Sequence, residues 1–258
     1  MSTNIYWMYE NKLEQASQLL WITGGVWGNG VISGGTANLY DYNLETASVG
    51  SAARGTHSLV IYFDGTGIRC NSAVFATKTP LIGTLMVYWG TTLGGQWGGP
   101  ASARLHPRGT TLITWVGTVV YVKRFQLRWQ LDVRNDITAN EIFLGKRLEL
   151  SSNPVYPLGK DEHKSVTKGE TPKGIQHSYH NFDRKSWHLQ YEGITDVDKE
   201  SIEEMVNHCH GQYKPLWFTL NPDSPEETEF VRFSTDRFTY EEIISGYWRV
   251  NLSLEQEL

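Results

Sequence analysis

The chain has 258 residues, 40% of them apolar and 20% charged, so a packed core is within reach and global disorder is excluded. Its 23 Lys and Arg against 28 Asp and Glu leave a formal net charge of -5, which speaks against a general nucleic-acid binder with its strongly basic surface. Twenty-five Gly, ten Trp and thirteen Tyr, interleaved with Thr and short β-branched runs, are the composition of a mainly β protein with many turns.

Two cysteines, Cys70 and Cys209, are too few for a disulfide scaffold and are expected as buried free thiols. Glu10, Lys12 and Glu14 precede any long apolar run, which is not the pattern of a signal peptide. No stretch approaches the roughly 18 uncharged apolar residues of a membrane helix, so no membrane insertion is expected and folding in the cytoplasm is.

In chain order, residues 56–63 end in a β-branched and aromatic run, and Asp64-Gly65 and Thr66-Gly67 follow as turn signals. The next expected strands are 68–75, 84–89 closed by Gly90, and, after a Gly-rich loop over 94–100, 112–116. Residues 119–131 carry the clearest strand pattern: Phe125, Leu127 and Trp129 alternate with Gln126, Arg128 and Gln130, leaving one wet face. Residues 142–144 form the last strand before Gly145. Strands at this spacing without long intervening helices predict an antiparallel β-sandwich over 1–150.

Residues 151–176 hold Pro154, Pro157 and Pro172 among many polar residues and read as a linker or extended arm. The remainder, 177–258, reads as a smaller α+β domain, a β-sandwich with one helix. Trp187, Leu189 and Tyr191 alternate along 186–191. A helix fits 199–209, with Ile202, Met205, Val206 and Cys209 on one stripe. Asp198 is its expected N-cap, Val197 is placed to staple onto Ile202, Glu200 sits in the first turn and Gly211 at C′. Strands are expected over 215–220, 229–234 and 247–254.

Chemistry is scarce. Gly24-Gly25-Val26-Trp27-Gly28-Asn29-Gly30 lacks the Lys and Ser or Thr of a phosphate loop and the spacing of a dinucleotide fingerprint. His208 and His210 lie two apart, so on a helix they cannot share a metal, and His177, His180 and His188 have no acidic or thiol partner at matching spacing. No G-x-S-x-G elbow is present, and Glu226-Glu227 and Glu241-Glu242 read as solvated charge. The expectation is therefore no enzyme, no catalytic or metal residues and no cofactor. What remains are Trp27 and Trp97 in Gly-rich loops and Arg104, which would contact either a glycan or a protein neighbour. Trp217 and Trp248 are candidate anchors of a subunit interface.

Two segments resemble a known protein class. Asn38-Leu39-Tyr40-Asp41, the run from His57 to Phe63, the strand from Tyr121 to Trp129 and the closing Glu141-Ile142-Phe143-Leu144-Gly145-Lys146 resemble, in that order, the discoidin-like (galactose-binding-like) jelly rolls of phage tail and baseplate proteins. Gly211-Gln212-Tyr213-Lys214-Pro215-Leu216-Trp217-Phe218, then Asn221-Pro222-Asp223, Glu229-Phe230-Val231-Arg232-Phe233 and the ending from Gly246 to Glu255 resemble the C-terminal domain of minor tail or tail-tip proteins of long-tailed phages. The resemblance implies a virion structural protein, assembled in the host cytoplasm as an oligomer, in a ring with other tail proteins. The alternative it implies is a carbohydrate-binding module of the host-adsorption apparatus, with host surface polysaccharide as partner. The convergent acidic residues of the calcium site in some sugar-binding jelly rolls are not found.

Overall fold

The computed structural model describes residues 5–16, 18–23, 32–33, 48–50, 56–65, 67–78, 81–90, 98–105, 109–114, 120–131, 137–170, 176–221 and 228–257. It is mainly β, with antiparallel pairing throughout the described strands and a single α-helix among them. By contact the chain divides into two units: Met1–Glu149 with Trp217–Glu229, and Leu150–Leu216 with Phe230–Leu258. The stretch Trp217–Glu229, placed by sequence in the C-terminal domain, therefore groups with the first unit.

The first unit opens with β1 (Tyr6–Met8), β2 (Gln18–Thr23), β3 (Ile32–Ser33), β4 (Ser48–Gly50) and β5 (Thr56–Tyr62). It continues with β6 (Ile68–Cys70), β7 (Ser72–Ala76), β8 (Gly83–Gly90), β9 (Gly98–Arg104), β10 (Thr110–Thr114), β11 (Val120–Val122) and β12 (Arg124–Leu131). β13 (Ile137–Ala139), β14 (Glu141–Gly145) and β15 (Leu148–Glu149) complete its N-terminal stretch. Five strands pair in the order β2-β5-β12-β8-β9 and three in the order β10-β7-β14. Their inner faces share one core: Leu59, Ile61, Phe125, Leu127 and Trp129 from the larger sheet meet Ala73, Phe75, Ile142 and Leu144 from the smaller. The Phe75 and Trp129 rings lie 5.4 Å apart across it. This is the sandwich the alternation in β12 predicts, with Phe125, Leu127 and Trp129 inward and Arg128 and Gln130 exposed.

Two expected strands are broken in the structure. Residues 68–75 divide at Asn71, whose N–H donates to the Gly145 carbonyl and whose side chain accepts from the Arg147 N–H. Residues 119–131 divide at Lys123, which exchanges backbone bonds with Gly90 and Phe63. Each half then pairs in a different sheet, β6 with β11 and β7 with β10 and β14. Residues 98–100, expected in a loop, belong to β9. Asn11 ties the N-terminal segment down: its amide donates to Ile142 O at 2.7 Å, and its oxygen accepts from Leu13 N and Leu144 N, both at 3.2 Å.

The second unit holds β16 (Gly159–Glu170), β17 (Gln176–Thr195) and α1 (Asp196–Cys209). β18 (Leu216–Thr219) follows, then β19 (Thr228–Phe233), β20 (Tyr240–Ile244) and β21 (Tyr247–Gln256). β18, whose Trp217–Thr219 belong to the first unit, pairs there with β1. Within the second unit the order is β19-β21-β17-β16, with β20 on the far end of β21. Trp187, Leu189 and Tyr191 of β17 and Val250, Leu252 and Leu254 of β21 are buried on one face. The buried stripe of α1, Ile202, Met205 and Cys209, is the apolar counterpart within this unit.

The described part of 151–176 is not a structureless connection. Twelve of them form β16, which pairs with β17 along its whole length, so the extended arm is one side of a hairpin. The helix also begins earlier than the sequence suggests. Thr195, not Asp198, is the N-cap, and Asp198 is the N3 partner of a capping box. Val197 is 71% exposed and makes no staple. The first-turn acids are Asp196 and Asp198. At the other end His210 closes the helix in the left-handed region and Gly211 follows at φ +63°, as its C′ placement requires.

Candidate functional site

The strands that bury Trp187 and Leu189 on one face must present Ser186, His188, Gln190 and Glu192 on the other, because side chains alternate along a strand. β21 does the same with Arg249, Asn251, Ser253 and Glu255. The result is a polar sheet face built by cross-strand pairs: His188 opposite Ser253, Gln190 opposite Asn251 and Glu192 opposite Arg249. His188 Nδ1 lies 3.0 Å from Ser253 Oγ, and its Nε2 lies 3.5 Å from Asp161. Arg249 bridges Glu192 at 2.9 Å and Glu241 at 3.0 Å, which hold its guanidinium charged.

Beside this face, on the β16 side of β17, the chain after Leu150 runs along the strand's edge, with the Val155 N–H donating to Gln190 O at 2.7 Å. Between the two lies a concavity of about 410 Å³, lined by Tyr156, Pro157, Gly159, His188, Gln190 and Asn251 among others.

Beyond the reach of β21, the hairpin of β16 and β17 continues alone. β21 pairs with β17 only from Ser186 to Thr195, so residues 176–185 pair with β16 and with no other described strand. The register shifts at Ser165/Val166, leaving Asn181 unmatched, and its amide fills the gap by donating to Ser165 Oγ and Thr167 Oγ1 at 3.1 and 2.8 Å. On this ribbon Val166 is 46% and Phe182 37% exposed. Arg184 lies over the Phe182 ring, with His163 on the same ring's flank.

The residues singled out from sequence are not brought together. Trp27 and Trp97 lie outside the described residues. Arg104, the last residue of β9, is exposed. Trp217 is buried, as is its neighbour Phe218, whose ring lies 4.9 Å from that of Trp7 at a tilt of 40°. Trp217 is therefore a core residue of the first unit rather than a surface anchor, because both faces of β18 are covered. Trp248 is half-buried; its indole N–H donates to Asp196 at 2.7 Å and Lys199 sits 4.5 Å above its ring.

Cys70 and Cys209 are free and buried. Burial pushes the Cys209 thiol up to about 12 against the opposing charge of Lys214, and it pushes the Cys70 thiol up as well. Burial and a raised thiol make a cysteine a poor nucleophile. Among the described residues no group of three or more His, Cys, Asp or Glu side chains could hold a metal ion. No described helix is long and apolar enough to cross a membrane. The Tyr156 to Asn251 concavity was missed from sequence because its residues come from three distant segments. The outward members of the 186–191 alternation were its only visible trace.

No family model matches the chain, and no curated protein does. Several solved structures are similar to part of it. A pectin-binding carbohydrate-binding module matches at 16% identity and a TM-score of 0.38, covering 50% of this chain and 90% of its own. The F5/8 type C domain of a Bacteroides fragilis protein matches at 12% identity and a TM-score of 0.41, covering 55% and 97%. A fucosidase of Ruminococcus gnavus matches at 15% and 0.43; this chain covers 27% of its length.

Proposed function

We propose that this protein is a structural subunit of a phage tail tip or baseplate, assembling into an oligomeric ring through its second unit. The observation that carries the assembly part is the β16–β17 ribbon. A two-stranded hairpin alone in water is marginally stable at best. This one extends past its sheet with Val166 and Phe182 exposed, and it is coherent as a strand pair that a neighbouring subunit covers. The phage-tail part is supported by the order of motifs across both segments of the sequence. Closed rings are the default for repeated identical subunits.

The test is the solution state of the full chain by light scattering and negative-stain microscopy, alone and with Val166→Asp/Phe182→Asp. Closed rings that fall to monomers in the double variant, with circular dichroism unchanged, are the expected result. A wild type that stays monomeric when concentrated, or rings indifferent to the double variant, would overturn the ribbon's role. A folded protein absent from purified tails, by mass spectrometry of the particle, would overturn the tail assignment.

The second reading is a carbohydrate-binding module, seated in the first unit. The names of similar solved structures lean this way, although at such scores the likeness passes on no ligand. Among the described residues of that unit, Arg104 is the only candidate contact that sits exposed. A glycan array probed with the full chain and with Arg104→Ala separates the readings: retention on one glycan class, lost in the variant, favours the module.

A further inference from the structure

The geometry points to a binding site for a neutral sugar in the concavity between Tyr156 and the polar face of the second unit's sheet. This is separate from both readings above, which place function on the ribbon or in the first unit.

Four features carry it. The volume, about 410 Å³, falls within the roughly 300–1,000 Å³ of small-molecule sites and has room for a mono- or disaccharide. Its rim bears an aromatic ring, Tyr156, which is 75% exposed. A tyrosine so exposed contributes little to the fold, but offers a flat apolar surface with a polar tip, which suits the C–H face of a pyranose. Its floor bears polar groups that both donate and accept: the amides of Gln190 and Asn251, the Ser253 hydroxyl and the His188 ring. Neighbouring hydroxyls on a sugar ring ask for that mixture, since each both donates and accepts. Finally, among the described residues no Lys, Arg, Asp or Glu lines the concavity, which disfavours phosphate, carboxylate or cationic ligands.

The floor is also partly arranged in advance. His188 lies between Ser253 and Asp161, and Gln190 donates to Glu192 at 2.7 Å, which biases these exposed side chains toward one orientation. Asn251, directly across from Gln190, has no side-chain partner among the described residues and stands ready for a ligand hydroxyl. Gly159 keeps the space open: a Cβ there would sit 3.1 Å from the Cβ of His188.

The experiment is saturation-transfer difference NMR on the full chain. The probes are methyl glycosides of glucose, galactose, mannose, N-acetylglucosamine and rhamnose, with maltose, cellobiose and lactose, each at about 10 mM to detect a Kd on the order of 1 mM. At least one sugar should show transfer to its ring protons. Tyr156→Ala should weaken it about tenfold, Tyr156→Phe should retain it, and Asn251→Ala and Gly159→Val should each reduce it severalfold. The exposure of Tyr156 and Asn251 keeps the fold out of question, and a matching amide spectrum verifies it. No transfer from any probe overturns the proposal. So does transfer indifferent to Tyr156 and Asn251, which would put the sugar elsewhere on the chain, or stronger binding of glucuronate or inorganic phosphate, which would make the site anionic.

Discussion

Replacing Asp198 by Ala removes the carboxylate on which the start of α1 is organised. Asp198 is 7% exposed. It accepts from the Ser151 N–H at 3.0 Å and from the Ser151 hydroxyl, and from the Thr195 hydroxyl and N–H at 3.0 and 3.4 Å, while its own N–H donates back to Thr195 Oγ1 at 3.3 Å. Hydrogen bonds to a charged group contribute about 1.5–3 kcal/mol each and a lost cap costs about 0.5–2 kcal/mol. Ser151 is exposed and Thr195 half-buried, so water takes over part of the lost bonding. The net cost of Asp198→Ala is then about 2–3 kcal/mol, and of Asp198→Asn about 1 kcal/mol. Burial alone would push this carboxyl up, but the bonds from the Ser151 side chain and backbone and from Thr195 outweigh it and hold it below its ordinary value. For a depressed carboxyl the stabilisation is complete above the unfolded value of about 3.9 and is lost as pH falls through the folded value. Urea unfolding followed by circular dichroism should show the full gap between wild type and Asp198→Asn at pH 7, and a shrinking one below about pH 4. A cost for Asp198→Ala under about 0.5 kcal/mol, or a gap that does not narrow in acid, would refute the reasoning.

Two glycines of one turn should respond unequally to Ala. Gly67 has φ +82° and an added Cβ would lie 2.6 Å from the Val122 carbonyl oxygen, whereas Gly65 has φ +67° with open space around it. Gly65→Ala should cost about 1 kcal/mol from the left-handed backbone alone, and Gly67→Ala about 2–3 kcal/mol, read as a difference in urea midpoint. Both thiols should resist a disulfide reagent at pH 8 in the native protein and react once guanidinium unfolds it; fast native labelling of Cys209 would contradict its raised value of about 12. Asn11→Ala should destabilise the first unit by about 2–3 kcal/mol by orphaning two buried N–H groups and one carbonyl, visible as a lower melting temperature.

Sequence reasoning succeeded where burial is periodic. The alternation of Phe125, Leu127 and Trp129 and the stripe of Ile202, Met205 and Cys209 are both buried as their spacing demands. It failed where a distant partner decides. Nothing local to Asn71 or Lys123 says that Gly145 and Gly90 will interrupt their strands. β16 was illegible for the opposite reason: Lys160, Asp161, Glu162 and Lys164 have no apolar rhythm, and pairing with β17 rather than burial makes them a strand. Trp217 was expected at an interface, but nothing in the sequence around it reveals that both faces of β18 are covered. The capping pattern was present as Thr195 and Asp198 three residues apart; reading the second acid as the cap shifted the helix start.

A bare strand edge is a template on which any passing strand can pair, and among the described strands β16 presents such an edge, twelve residues long. Its charges come in a fixed order of both signs, and the register of the pair shifts midway at the unmatched Asn181. An indiscriminate newcomer would have to place its own charges against that order, so the cost of promiscuous docking is built into the edge itself. A strand that pairs with this edge must match that order of charges, which makes the edge selective rather than open to every extended segment.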